Sequence, residues 1–130
     1  MKTLLTTALL LIFSVSCSAV KPASNPLKSS NPTKVQTGKA SWYSTFCNKG
    51  SKTASGERLN NNSSTAAHKT LPLGTKVKVI NVSNGKSEIV KISDRGPYVK
   101  GRIIDVTVGV ASRLGFKSQG VADVRIEVLQ

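Results

Sequence analysis

Val90-Lys91-Ile92-Ser93-Asp94-Arg95-Gly96-Pro97-Tyr98, with Ile103-Ile104-Asp105 close behind, is the stretch on which the reading of this chain turns. The run ending at Ile92 reads as a buried strand that delivers an acid, a base, a Gly and a Pro at a sharp exit. A second apolar run then delivers Asp105. A carboxyl at the end of an apolar strand is partly desolvated, and desolvation favours its neutral form. A carboxyl protonated near neutral pH serves as a general acid. The same residues also read as a turn ion pair, Asp94 with Arg95, and a helix cap at Asp105.

Working outward, Thr75 to Val82 alternates Val77 and Val79 with Lys76 and Lys78, a half-buried strand. Ser83-Asn84-Gly85-Lys86 is a hairpin signal, because Asn-Gly tolerates positive φ. Glu88 to Ser93 is the returning strand. Downstream, Thr107 caps a short helix over Val108 to Leu114, and Gly115 stops it. Val121 to Leu129 closes the chain with Val124, Ile126 and Val128 inward. Several short strands, one short helix and one long loop favour a small closed barrel, since closure removes exposed edges.

Upstream, the folded part is expected from Gly38, with Ala40, Trp42 and Phe46 as its first large apolar positions and Tyr43 among them. Trp42, the one tryptophan, suits either the core or a sugar-stacking platform. Asn48 to Asn62 is a long polar loop holding Thr53, Ser55 and Glu57. Long loops in small domains are mostly functional, yet Glu57 also reads as a partner for Arg58 or a nearby lysine. His68 is the only histidine, and without neighbouring cysteines it argues against a metal site. No cofactor is expected. Cys47 has Cys17 as its one available partner, so there is no disulfide framework.

The remainder is not core. Met1 to Ala19 reads as a secretory signal, with a basic start and an apolar run too short to span a membrane. Cys17 follows Ser14-Val15-Ser16, which resembles a bacterial lipoprotein box, with Ser14 where Leu is usual. Residues 20–37, with three prolines among Ser, Asn and Lys, read as a disordered linker. Lipidation of Cys17 would tether the domain to a membrane; cleavage after Ser18 or Ala19 would discard that residue. Both outcomes take the protein out of the cytoplasm.

The 130 residues carry 19 Lys and Arg against 6 acids, a formal net charge of +13, so every carboxylate inside a motif is a selective mark. The surplus suits a polyanionic partner. Nucleic acid would need a basic groove with stacking aromatics, and a secreted protein rarely meets it.

Gly38-Lys39-Ala40-Ser41-Trp42-Tyr43, Thr53-Ala54-Ser55-Gly56-Glu57, Ala66-Ala67-His68-Lys69-Thr70-Leu71-Pro72-Leu73-Gly74, Asp94-Arg95-Gly96-Pro97-Tyr98 and Gly101-Arg102-Ile103-Ile104-Asp105-Val106-Thr107 together resemble the rare lipoprotein A family, RlpA. The match runs in order over residues 38–129. It implies a six-stranded double-psi β-barrel, all-β with one short helix, spanning residues 38–130. It implies an endolytic peptidoglycan lytic transglycosylase of the bacterial periplasm. Such enzymes cut between N-acetylmuramic acid and N-acetylglucosamine, prefer glycan strands without stem peptides and leave 1,6-anhydro ends. Glu57, His68 and Asp94 fall on the family's functional positions, and Asp105 where related barrels place a groove acid.

The expected roles follow from that resemblance. Asp94 is the leading acid/base, with Asp105 its rival. His68 orients the acid or stabilises charge, Glu57 binds or positions substrate, and Arg95 meets the lactyl carboxylate of muramic acid. Trp42, Tyr43, Thr53 and Tyr98 are the remaining substrate contacts. Asp94, Asp105 and His68 are expected to open into one sugar-sized furrow. The domain is expected to act as a monomer. Two departures from the family stand out: Cys47 in its loop, and the end at Gln130, where many members continue into a glycan-binding SPOR domain. The competing reading is a non-catalytic, expansin-like wall-binding module.

Overall fold

A computed structural model of the chain describes Pro32, residues 34–46 and residues 52–129. The signal segment, Cys17, most of the linker and Cys47 lie outside the described residues. Six strands form a closed barrel: β1 (Lys34–Tyr43), β2 (Thr65–His68), β3 (Lys76–Asn81), β4 (Ser87–Asp94), β5 (Arg102–Thr107) and β6 (Val121–Val128). Around the barrel the order is β1-β5-β2-β4-β3-β6, with β6 pairing back onto β1. The β1·β5 and β2·β4 pairs are parallel, and the other four are antiparallel. This closed six-stranded barrel fits the expected double-psi fold.

The core follows the period-2 pattern. Val77 and Val79 from β3, Val90 and Ile92 from β4, Ile104 and Val106 from β5, and Val124 and Ile126 from β6 are all buried. Helix α1 (Val108–Leu114) adds Val110, Ala111 and Leu114 to the same cluster, and Phe116 follows. Its caps are those expected: the Thr107 hydroxyl accepts from Val110 N, and Gly115 turns left-handed at φ 81. The β3–β4 turn is wider than a two-residue hairpin, because pairing ends at Ile80 and Ser87. Asn81 at the end of β3 and Asn84 in that turn both donate to Leu114 O, satisfying a carbonyl at the helix end.

Two expectations at the start of the domain need correction. The linker does not run to Thr37: β1 begins at Lys34 and pairs Lys34–Thr37 with Val128–Arg125 of β6. Val35 is exposed there, so the strand is held by backbone bonds that leave no hydrophobic signature. Phe46 is not core either. It lies beyond the end of β1 and is 93% exposed.

Both parallel pairs contain an irregularity just before an aspartate. Along β1·β5 the register steps from Lys39↔Arg102 to Ala40↔Ile104, leaving Ile103 as the extra residue. Along β2·β4 it steps from Ala66↔Ile92 to Ala67↔Asp94, leaving Ser93 as the extra residue. Gly38 makes room for the first bulge, since a Cβ there would stand 2.7 Å from Ile103 Cγ2. Bulges re-aim the side chains that follow them, and here they aim Asp105 and Asp94.

Candidate active site

Read across the sheet, Ser41 of β1 stands opposite Asp105 of β5. Asp105 stands opposite Ala67 of β2, and Ala67 opposite Asp94 of β4. Residues in register share a face, so the two carboxylates flank a methyl group across two strand spacings, roughly 10 Å between Cα atoms. Asp94, Asp105 and Ala67 line one cavity of about 390 Å³, together with Tyr43, Arg95 and Tyr98. Ala67 thus forms a low floor between two acids.

Each carboxylate is anchored by one oxygen. Asp94 Oδ1 accepts from Ala54 N at 3.0 Å and Arg95 N at 2.8 Å. Asp105 Oδ1 accepts from the Ser41 hydroxyl, which in turn accepts from Arg102 Nη1 at 2.7 Å. The two Oδ2 atoms make no hydrogen bond among the described residues. One fixed oxygen and one unspent oxygen per acid is an arrangement suited to proton transfer at a defined point.

The loop carrying Thr53 and Glu57 acts on Asp94 from behind. Besides the Ala54 N bond, Ser55 N donates to Ser93 O, the carbonyl of the bulged residue. Thr53 is buried, and its hydroxyl is shared with Ser55 Oγ and the Glu57 carbonyl. It shapes this turn and does not line the carboxylate cavity. Glu57 also stays outside that cavity and pairs with Lys91 at 2.5 Å on the surface. This is the lysine pairing that the sequence left open.

His68 follows Ala67 and projects from the other face of β2. It is buried, and its ring is fully used: Nδ1 accepts from Thr70 N and Leu71 N, both at 3.1 Å, and Nε2 meets Gln36 Oε1 at 3.0 Å. Burial holds its pKa below the ordinary 6.5, and the charges of Lys34, Arg95 and Lys69 act in the same direction. His68 lines a second cavity of about 170 Å³ with Gln36, Lys69, Thr70, Ile103 and Arg102. The expected single furrow is therefore two adjoining cavities, and Arg102 is the one residue that lines both.

Arg95 lines the carboxylate cavity, but its Nη1 donates to His68 O at 3.1 Å and Leu71 O at 2.6 Å. The His68 ring folds residues 68–71 into the turn on which Arg95 docks, so His68 reaches Asp94 through its neighbour. Tyr98 is 79% exposed at the rim. Tyr43 is its half-buried counterpart. Burial pushes its phenol up to about 12, with Asp94 and Asp105 adding to the rise and Thr65 and Ser93 opposing it. The Tyr43 and Ser93 hydroxyls have no hydrogen bond of ordinary geometry among the described residues. Trp42 lies away from the cavity, half-buried against the core, with Nε1 donating to Lys117 O at 3.1 Å.

The barrel is similar to known proteins. A family model described as lytic transglycolase, built on the double-psi β-barrel, matches residues 35–126. The chain belongs to the RlpA family. RlpA-family relatives named endolytic peptidoglycan transglycosylase RlpA include one from Neisseria meningitidis serogroup A, 54% identical over 93 residues, covering 72% of this chain and 38% of that protein. Another, from Rickettsia typhi, is 54% identical over 97 residues, covering 73% of this chain and 30% of that protein. The chain thus spans roughly a third of these relatives' length.

Two solved structures share the fold at low identity. The Streptomyces papain inhibitor has a TM-score of 0.61 at 20% identity, covering 76% of this chain and 97% of that one. A Clavibacter michiganensis expansin mutant, in complex with cellohexaose, has a TM-score of 0.55 at 14% identity, covering 75% of this chain and 51% of that one. The residues at this cavity that the sequence does not single out are Ser41, Ala67 and Arg102. All three lie inside quoted motifs, but their roles depend on register.

Proposed function

We propose that this domain is an endolytic peptidoglycan lytic transglycosylase. It cuts between N-acetylmuramic acid and N-acetylglucosamine in glycan strands without stem peptides and leaves 1,6-anhydro ends. The observation that carries the reading is the pair of half-anchored carboxylates, Asp94 and Asp105, on one cavity with Ala67 between them. The names of the relatives support the reaction class. The exit from the cytoplasm read from residues 1–19, with Cys17 as lipid attachment point, would put the enzyme in the envelope beside its substrate.

In this mechanism the Asp94 carboxyl gives a proton to the glycosidic oxygen. The bond to the muramic anomeric carbon breaks, and its electron pair leaves with that oxygen. Asp94, now a carboxylate, takes the proton of the muramic C6 hydroxyl as that oxygen bonds to the anomeric carbon. The acid is regenerated and no water is consumed, so one carboxyl serves both steps. Asp105 faces the positive charge that develops on the sugar ring, as the second carboxylate of glycosidases does. Its anchoring through Ser41 and Arg102 fixes that charge in place. Tyr98 stacks on a sugar face at the rim. His68, Thr53 and Glu57 act as positioning residues, through Arg95 and through the loop that holds Asp94.

The test is digestion of purified peptide-free glycan strands with mass analysis of the ends. Anhydro ends are expected. Reducing ends carrying added water would replace the lytic mechanism by hydrolysis. Retention on peptidoglycan with no soluble fragments would leave a binding module.

A further inference from the structure

We propose that Arg102 reads the free carboxylate of the sugar at the bond being cut, and so makes the domain discriminate free-acid strands from capped ones. This rests on the glycan-cleaving reading above and names the residue behind its substrate preference. A guanidinium has five N–H donors. Among the described residues Arg102 spends one side-chain bond, Nη1 to the Ser41 hydroxyl, and forms no ion pair. Its Nε is buried without an acceptor. A half-buried cation with unspent donors is an unfinished site, because such groups are normally paired.

Its place in the fold says what would finish it. Arg102 lines both the cavity of the two acids and the cavity beside His68. The charged residues lining that second cavity, Lys69 and Arg102, are both cations. Lys34 and Arg95 add positive charge near His68. The second cavity, about 170 Å³ against 390 Å³, is the smaller space. It suits an acidic substituent of a ring seated over Asp94 and Asp105. In muramic acid that substituent is the lactyl group. Linking a stem peptide to it turns the carboxylate into an amide, which keeps an acceptor but loses the charge. Arg95, the earlier candidate for this task, is already docked on two backbone carbonyls.

The experiment measures binding in the full chain carrying Asp94→Asn, which slows turnover by the ~10²–10⁴-fold that a general acid/base contributes. Three ligands are titrated: peptide-free strands, the same strands with their carboxyls converted to methylamides, and strands retaining stem peptides. Free-acid strands are expected to bind about tenfold more tightly than methylamidated ones, the scale of one charge-assisted contact. Peptide-bearing strands, whose remaining carboxylates lie on the peptide, are expected to follow the methylamidated ones. Adding Arg102→Gln is expected to close the gap to within about twofold, Arg102→Lys to keep part of it, and Lys86→Gln, on the exposed β3–β4 turn, to leave it intact. A merely structural role for Arg102 would weaken all three ligands alike. Equal binding of free and capped strands by Asp94→Asn overturns the proposal whether or not the Arg102 variants fold. So does a gap that survives Arg102→Gln. A clear gap in a wild-type protein that releases no anhydro ends would retain Arg102 and remove the enzyme reading.

Discussion

Asp94 and Asp105 reach the same cavity from strands that do not touch, because β2 runs between β4 and β5 and offers only Ala67 at the crossing row. The two acids have different anchors. Asp94 is held by backbone amides, Asp105 by a side-chain chain of Ser41 and Arg102. Backbone amides fix an oxygen without supplying a mobile proton of their own. Asp94→Asn keeps the shape and removes the acid. Cleavage of peptide-free strands is expected to fall by ~10²–10⁴-fold, the usual contribution of a general acid/base. Asp105→Asn is expected to cost less, about tenfold. Counting anhydro ends released per hour ranks the two, and the opposite ranking would exchange their roles.

Ala67 supplies a test of the cavity that touches no acid. Ala67→Leu places three more carbons on the floor between the carboxylates, where the cavity offers room, so the barrel is expected to stay folded. Cleavage is expected to drop at least tenfold, as a sugar ring can no longer settle. Thermal unfolding within a few degrees of wild type, alongside lost activity, distinguishes obstruction from misfolding. Full activity in the variant would mean that the substrate does not lie over β2.

How far the sequence foretold this arrangement depends on the bulges. The alternation in β3, the α1 caps at Thr107 and Gly115, and the inward set on β6 were legible because regular periodicity encodes them. Asp94 and Asp105 stood out because acids are scarce and each ends an apolar run. Arg102 did not stand out. A strict period of two puts Arg102 and Asp105 on opposite faces, and the extra residue Ile103 brings them to the same cavity. His68 erred the other way: its motif pointed at the acids, while its position next to Ala67 turns the ring to the far side of β2. Lys34–Thr37 reads as linker because a segment held by backbone pairing to β6 and one polar contact, Gln36 with His68, carries no apolar pattern.

His68 makes stability depend on pH. Its Nδ1 accepts from two backbone amides, so a proton there removes an acceptor and puts a charge among cations. Its folded pKa lies below the ordinary 6.5, so between the two values the unfolded chain holds more protons than the native one. Stability is therefore fully present above 6.5 and is lost as pH falls from there through the folded value. Urea midpoints are expected to decline over that window in wild type. His68→Asn keeps an oxygen near the Nδ1 position and does not titrate, so its decline is expected to be shallower. Equal slopes would assign the effect to other groups.

Gly109, at the start of α1, is needed for a reason of space, since its φ is not in the left-handed range. A Cβ there would stand 2.6 Å from Asn61 O, and Gly109 N already donates to that oxygen at 2.8 Å. The contact seats the Asn60–Asn62 loop on the helix, where Arg113 also reaches Asn62 O. In an exposed helix Gly→Ala ordinarily stabilises by up to about 1 kcal/mol. Here the backbone oxygen must move, and overpacking costs ~1–3 kcal/mol. Gly109→Ala is expected to lower stability on balance, read from urea unfolding with the slope unchanged. Asn61 also bonds Thr45 N at 2.7 Å, and Thr45 lies two residues beyond Tyr43 of the carboxylate cavity. The variant is therefore also expected to lose some cleavage. A stabilised Gly109→Ala would show that the loop yields freely and does not help to hold the end of β1.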